Sequence, residues 1–473
     1  LLLFDEILKK GFDGHNFIVG LSEHLRDLLV VKDEATVELL QVSESAKDRY
    51  LEQTARASVS FLLSALNLAN QCDIHYKTSK NQRLHVELTL MKVAKLSQAF
   101  RLATLASVDA KKMLEYGKLP NNKYMLNWPI YGNDIYLNVV EKTPKQREEL
   151  LEQAKQQTLR FVYFIQKDLG FNHLALADDE FPTKDKLALY PYHRESRRMH
   201  GMVRMLVQHI STPFDTPQPL YTTGIAVGDY PVDHHHKKNS AAPQHLEFFP
   251  VPSFNIPMGA LIPKGVSNFI VAEKSISVSN IVNGTTRLQP CVMQIGQAAG
   301  LLAALSIKNK VDPKNISVRQ VQQALLEVNG YIMPYKDVTQ KDRYFKAIQK
   351  IGATGLLRGV GVPTGWANAT YFNPNDKVKW NEFSIAWNKR FTSQKMISDR
   401  EVTVGDALLF AATLSNNTSE KVNKTFELRW QLIGLENFNL QRPILRYELA
   451  AILDQYNVFN IFDVDIYGNY TKL

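Results

Sequence analysis

Residues 283–304 read NGTTRLQPCVMQIGQAAGLLAA. The pattern predicts a polar, Gly-containing turn over Asn283, Gly284, Thr285, Thr286, Arg287, Leu288 and Gln289, running into a helix of small residues. Pro290 suits a first helical position, where its missing N–H costs nothing and its φ is already helical. Gly296 and Gly300, four apart on that helix, leave room for another backbone. A helix start presents unpaired N–H groups and partial positive charge, and Arg287 adds a cation beside it. Such a place stabilises negative charge. The alternative is a buried helix behind a surface turn. Upstream, Phe269-Ile270-Val271-Ala272 has the pattern of a buried strand, so the local order reads strand, loop, turn, helix.

Three further stretches lead up to this one: LADDEFP (176–182), PYHRESRRMHG (191–201) and GIAVGDYPVDHHH (224–236). Together with residues 256–305 they resemble, in order, the C-terminal half of bacterial FAD-dependent oxidoreductases of the xanthan lyase type. The resemblance runs from about Lys118 to about Pro334. It implies FAD as cofactor, with residues 283–289 and Gly296 around the pyrimidine edge of the ring, where negative charge collects in the reduced flavin. It also implies hydride transfer from a small, oxygen-rich substrate, the protein supplying orientation and a proton acceptor. His193, Arg194 and Arg197, with one of His234 or His236, are then expected to face one cavity near the ring.

Read as residues, His193-Arg194-Glu195-Ser196-Arg197-Arg198 joins an imidazole and a carboxylate to guanidinium groups that can grip carboxylates, phosphates or vicinal sugar oxygens. An exposed helix start laced with short-range salt bridges would look the same. Asp233-His234-His235-His236 continues a strand-like stretch. In extended geometry His234 and His236 share a face, with Asp229 or Asp233 as a neighbouring carboxylate. A metal site needs a third fixed ligand, which the sequence does not supply, so no metal is expected. Asp178-Asp179-Glu180 offers acids, but adjacent side chains diverge, which argues against a glycosidase pair.

The glycine fingerprint that cradles a dinucleotide pyrophosphate does not occur in the 473 residues. Its nearest approach, Gly359-Val360-Gly361, has Thr364 where the third glycine belongs. The expected fold is therefore α+β or α/β: a helical N-terminal segment, a central oxidoreductase-like domain without its dinucleotide-binding part, and a small, mostly helical C-terminal region. FAD binding is expected to be weak or absent.

Residues 4–96 resemble the collar region of the bacterial DNA polymerase III gamma/tau subunit, which implies self-association or clamp-loader-like partners. Helical spacing supports the helices by itself. Phe17, Ile18, Leu21, Leu25, Leu28 and Leu29 recur on one face; Leu84, Leu88, Met91 and Lys95 do so less cleanly, with Val86, Leu90 and Val93 beside them. Asp33 and Ser58 suit N-caps before Glu34 and Val59. No Walker A sequence is present. A clamp-loader-derived interaction module, and a chimera without activity, stand beside the flavoenzyme reading.

Length suggests two or three domains, and the resemblances imply bounds near 1–100, 101–334 and 335–473. The last contains two similar units, KDRYFKAIQKIGATGLLRGVG…TYFNPNDKVKWNEF and FNLQRPILRYELAAILDQY…NIFDVDIYG, which resemble S-layer-homology repeats. Hydrophobic content of 45% fits a chain with a sizeable core, and no apolar run stands out as a membrane span. The net charge of +9 is spread among acids, which argues against direct nucleic-acid binding. The two cysteines, Cys72 and Cys291, read as buried thiols. Location is left open: the first residues lack a signal-peptide layout, whereas the oxidoreductase relatives are exported.

Overall fold

The computed structural model describes residues 1–33, 36–37, 40, 42–55, 57, 59–106, 110–126, 133–194, 197–233, 251–391 and 399–471. Glu34, Ser58, Glu195, Ser196, His234, His235 and His236 lie outside them. Two compact units divide between Tyr192 and His193.

The first unit is helical: α1 Leu2–Lys9, α2 Gly14–Val30, α3 Glu44–Ala55, α4 Val59–Tyr76, α5 Gln82–Ala106, α6 Ala110–Tyr116 and α7 Pro144–Lys167, with a short pair β1 Lys118–Leu119 and β2 Lys123–Tyr124. The expected face of α2 is inside, with Leu25 and Leu28 buried against Leu62, Ala65 and Ala69 of α4, and Ile18 clustered with Cys72 and Tyr76 of the same helix. On α5 the expectation chose the wrong face. Leu84, Leu88 and Met91 are exposed, while Val86 is fully buried and Leu90 and Val93 join the apolar clusters beside α2 and α4. Two interleaved apolar rows at helical spacing cannot be told apart until partners choose one. Thr143 caps α7 in a box with Gln146, and Pro144 opens it. Asp179 and Glu180 turn to one cation, Lys123, at 2.7 and 2.5 Å.

The second unit contains α8 Gln208–Ser211, β3 Gly224–Gly228, β4 Phe254–Pro257, α9 Asn280–Thr286, α10 Gln289–Asn309, α11 Val318–Glu327, α12 Phe345–Thr354, β5 Val360–Val362, β6 Ala369–Tyr371, α13 Trp380–Arg390, α14 Val404–Ser415, α15 Ser419–Arg429, α16 Arg446–Asp454 and α17 Val458–Ile461. The described sheets are two-stranded and antiparallel, which places the chain in the α+β class rather than α/β. β3 lies against α10 and α11 and pairs with β4, and one apolar core runs from Val203 to Val464. Arg319, fully buried, ties this core together: its guanidinium donates to the carbonyls of Thr222, Ala353 and Phe462 and to Gln322. Burial pushes it down to about 10. The expected strand at Phe269–Ala272 is not one. Phe269 is exposed, and Val271 N–H donates to the Leu261 carbonyl without a ladder on either side.

The C-terminal region holds three equivalent segments, not two. Val378 N–H donates to Ile444 (3.0 Å), Ile444 to Val402 (2.8 Å) and Val402 back to Val378 (2.9 Å). Two residues on, the cycle repeats: Trp380 donates to Arg400, Val404 to Arg442 and Arg446 to Asp376. Each segment runs straight into a helix, α13, α14 or α16, with an acid at its third position: Glu382, Asp406 or Glu448. The three valine and isoleucine side chains meet fully buried at the centre.

Candidate functional site

The quoted stretch forms two helices with a one-step joint, and this corrects the expected turn. Ser279 caps α9 through Val282 N–H, and residues 283–286 complete that helix. Arg287 ends it, Leu288 is extended, and α10 begins at Gln289 with Pro290 second. No side chain caps α10. Its first-turn N–H groups therefore lie at the joint without the usual local acceptor.

The loop 229–233 packs against this joint. Arg287 Nη2 donates to the Asp233 carboxylate at 3.1 Å and to its carbonyl at 3.0 Å. Thr285 Oγ1 donates to the Tyr230 carbonyl at 2.5 Å. A Cβ at 284 would stand 2.6 Å from the Asp233 carbonyl oxygen, so glycine there lets the loop lie on the helix. Gln294, one turn into α10, accepts from Val227 N–H at 3.1 Å and holds the end of β3. The expected extra cation at the joint is thereby spent: Arg287 is neutralised by Asp233, and both side chains are largely buried.

The residues expected to line a cofactor divide by exposure. Asn283, Gly284, Thr285, Thr286 and Arg287 are buried; Leu288 is half-buried; Gln289 and Gly296 are exposed. Nothing stands within 4 Å of a Cβ built at Gly296 or Gly300, so among the described residues no backbone exploits the gap they leave. Both amide atoms of Asn283, and Arg287 Nε, are buried without a hydrogen-bond partner. Cys291, in the first turn of α10, is pushed up to about 12 by burial, with Asp229 adding to the shift, so it is a thiol at neutral pH.

His193, Arg194 and Arg197 open the second unit. Lys274 Nζ donates to the His193 carbonyl at 2.8 Å, and the turn Glu273–Ser275 packs on α10. Met199 then bonds Ser275, while Met205 bonds Ser277 and accepts from Ser279 at the start of α9. The segment thus runs from the basic cluster to the joint. His234 and His236 are not described, but Asp233, one residue before His234, is fixed by Arg287. Sequence reading passed over Tyr230, Gln294 and Asn368 entirely, because each acts through a contact far along the chain. Among the described residues no group of three or more His, Cys, Asp or Glu could hold a metal ion. By length and hydropathy α10 could cross a membrane, though Cys291, Ile295, Ala298 and Leu302 are buried in this core.

A family model for FAD dependent oxidoreductases matches residues 41–325. The chain belongs to this family. The match covers more than half of the chain and begins within the N-terminal helical segment. Neither a curated protein nor a solved structure matches the chain. Family membership implies FAD, and the donors at the joint suit it. The pyrimidine edge of a flavin carries carbonyl oxygens and one N–H. The start of α10 offers uncapped amides and the exposed Gln289 side chain, and the Asn283 amide beneath holds an unmatched donor and acceptor.

Proposed function

We propose that this oxidoreductase places the pyrimidine edge of its flavin at the α9–α10 joint and oxidises an oxygen-rich small molecule, as in the xanthan lyase type. The observation that carries this reading is the uncapped start of α10, exposed at Gln289 and backed by the buried Arg287–Asp233 pair. FAD supplies the hydride acceptor when bound. The chain's own part is orientation and proton handling. Helix-start amides favour the charge that develops at the ring edge, and the neutralised arginine beneath holds the joint rather than competing for the ligand. Arg194 and Arg197 are the groups suited to substrate oxygens. Imidazole, at His193, His234 or His236, is the group suited to accept a proton near neutral pH.

Titration of the full chain with FAD, followed by the visible flavin spectrum and by equilibrium dialysis, tests this. The expected result is saturable but weak binding that does not survive desalting, because no glycine fingerprint for the pyrophosphate occurs in these residues. Absence of saturable binding by FAD and riboflavin alike would overturn the reading.

A further inference from the structure

We propose that the second unit carries a separate binding cleft between residues 199–200 and 263–271, and that its ligand is a small molecule with an apolar body and an anionic end. The cleft offers about 430 Å³. Its wall is apolar, with Met199, Val266, Phe269 and Val271 contributing, and its charged side chains are His200 and Lys264. An apolar wall with a few convergent polar groups is the usual make-up of a small-molecule site. The proposal does not depend on the flavin reading.

Backbone pairing builds the cleft. Gly201 and Pro263 form an antiparallel bridge, in which Lys264 N–H donates to the His200 carbonyl and Met202 N–H to the Ile262 carbonyl, both at 2.8 Å. His200 therefore stands directly opposite Lys264, and opposite residues of an antiparallel pair share a face with their Cβ atoms about 5 Å apart. Val271 N–H returns to the Leu261 carbonyl at 2.8 Å, so residues 262–270 form a closed loop. Asn268, at φ 51°, donates its N–H to the Asp312 carboxylate at 3.0 Å. Phe269 lies between these two anchors and is nonetheless 55% exposed, with Val266 53% exposed in the same wall. The anchored backbone, not a frayed end, holds this apolar surface toward water, and surface of that kind marks an interaction site.

Charge selects the class of ligand. Among the described residues the lining holds two nitrogen bases and no carboxylate. Like charges directly opposite on paired segments destabilise the pair, so an ammonium facing an imidazole across the bridge favours an anion shared between them. An amine ligand would meet repulsion there and find no acid in the lining. A neutral apolar molecule would cover Phe269 and Val266 but leave the two bases unanswered. A carboxylate at Lys264 and His200, with its apolar body along Met199, Val266 and Phe269, satisfies both parts of the cleft.

Calorimetric titration of the full chain with octanoate, n-octanol and octylammonium, below micelle-forming concentrations and at low salt, tests the proposal. Octanoate should bind saturably and about fivefold more tightly than n-octanol, and octylammonium should not bind. Lys264→Gln should weaken octanoate about fivefold and leave n-octanol unchanged, whereas Phe269→Ser should weaken octanoate about tenfold. Both side chains are exposed, so each variant should keep the wild-type thermal transition. Absence of saturable octanoate binding, or equal affinity for octylammonium, would overturn the proposal in the wild-type chain alone. Full octanoate affinity in both variants would also overturn it, because the carboxylate would then sit elsewhere. Competition between octanoate and FAD would make the cleft part of the flavin site and overturn its separateness.

Discussion

Arg287 grips Asp233 twice, through the carboxylate at 3.1 Å and the main-chain carbonyl at 3.0 Å, and both side chains are largely sealed from water. A pair of this kind is worth little relative to a well-packed apolar pair, but breaking one partner strands the other. Arg287→Ala should therefore destabilise the chain by about 3–5 kcal/mol, read as a lowered urea midpoint. A midpoint equal to wild type would mean that the loop 229–233 does not depend on this contact.

His209 gives the second unit a pH dependence. Desolvation lowers its pKa below the usual imidazole value, and its Nδ1 already accepts from Leu206 N–H at 3.0 Å. The folded state therefore takes up its proton at lower pH than the unfolded chain. Stability from this residue is complete above about pH 6.5 and is lost as pH falls toward the lowered folded value. Urea midpoints should drop between pH 7.5 and 5, and His209→Gln should remove part of that drop. An unchanged slope in the variant would contradict the assignment.

Two arginines in equivalent places of the threefold arrangement should differ sharply. Arg442 makes a bidentate pair with Glu448, which is 2% exposed, and also donates to the Glu436 and Asn437 carbonyls. Arg400 pairs with Asp406 from a half-exposed position. Arg442→Met should cost about 3–5 kcal/mol and Arg400→Met less than about 1 kcal/mol. Equal costs measured by thermal or urea unfolding would refute the distinction.

Neither cysteine should react with a thiol reagent in the native chain. Cys72 and Cys291 are both buried, and burial raises both thiols, Cys291 to about 12. Both should react together with global unfolding in urea. Prompt labelling of Cys291 in buffer would show that the first turn of α10 opens.

What the sequence made legible was local. The apolar face of α2 and the family resemblance at 256–305 both depend on residues a few positions apart. The joint at 287–288 was misread because Asn-Gly-Thr-Thr favours a turn on local grounds. Burial against Tyr230 and Asp233 makes it helical instead. The middle repeat was missed for a related reason: it lacks the Phe-Asn lead of the other two, Phe372-Asn373 and Phe438-Asn439, and only cyclic pairing reveals the equivalence of Val402 with Val378 and Ile444.

The three-segment cycle has a consequence for how this part of the chain can fail. An ordinary small sheet ends in strands whose outer backbone groups are unpaired and can recruit another chain. In a ring of three, each segment has a neighbour on both sides, so no edge is offered while the ring is whole. A break that removes any one member exposes two edges at once, and they are lined by valine and isoleucine drawn from a buried centre. Truncation before Pro443 should therefore yield not a smaller soluble domain but a sticky one, with aggregation setting in as an all-or-none response to the loss of a single short segment.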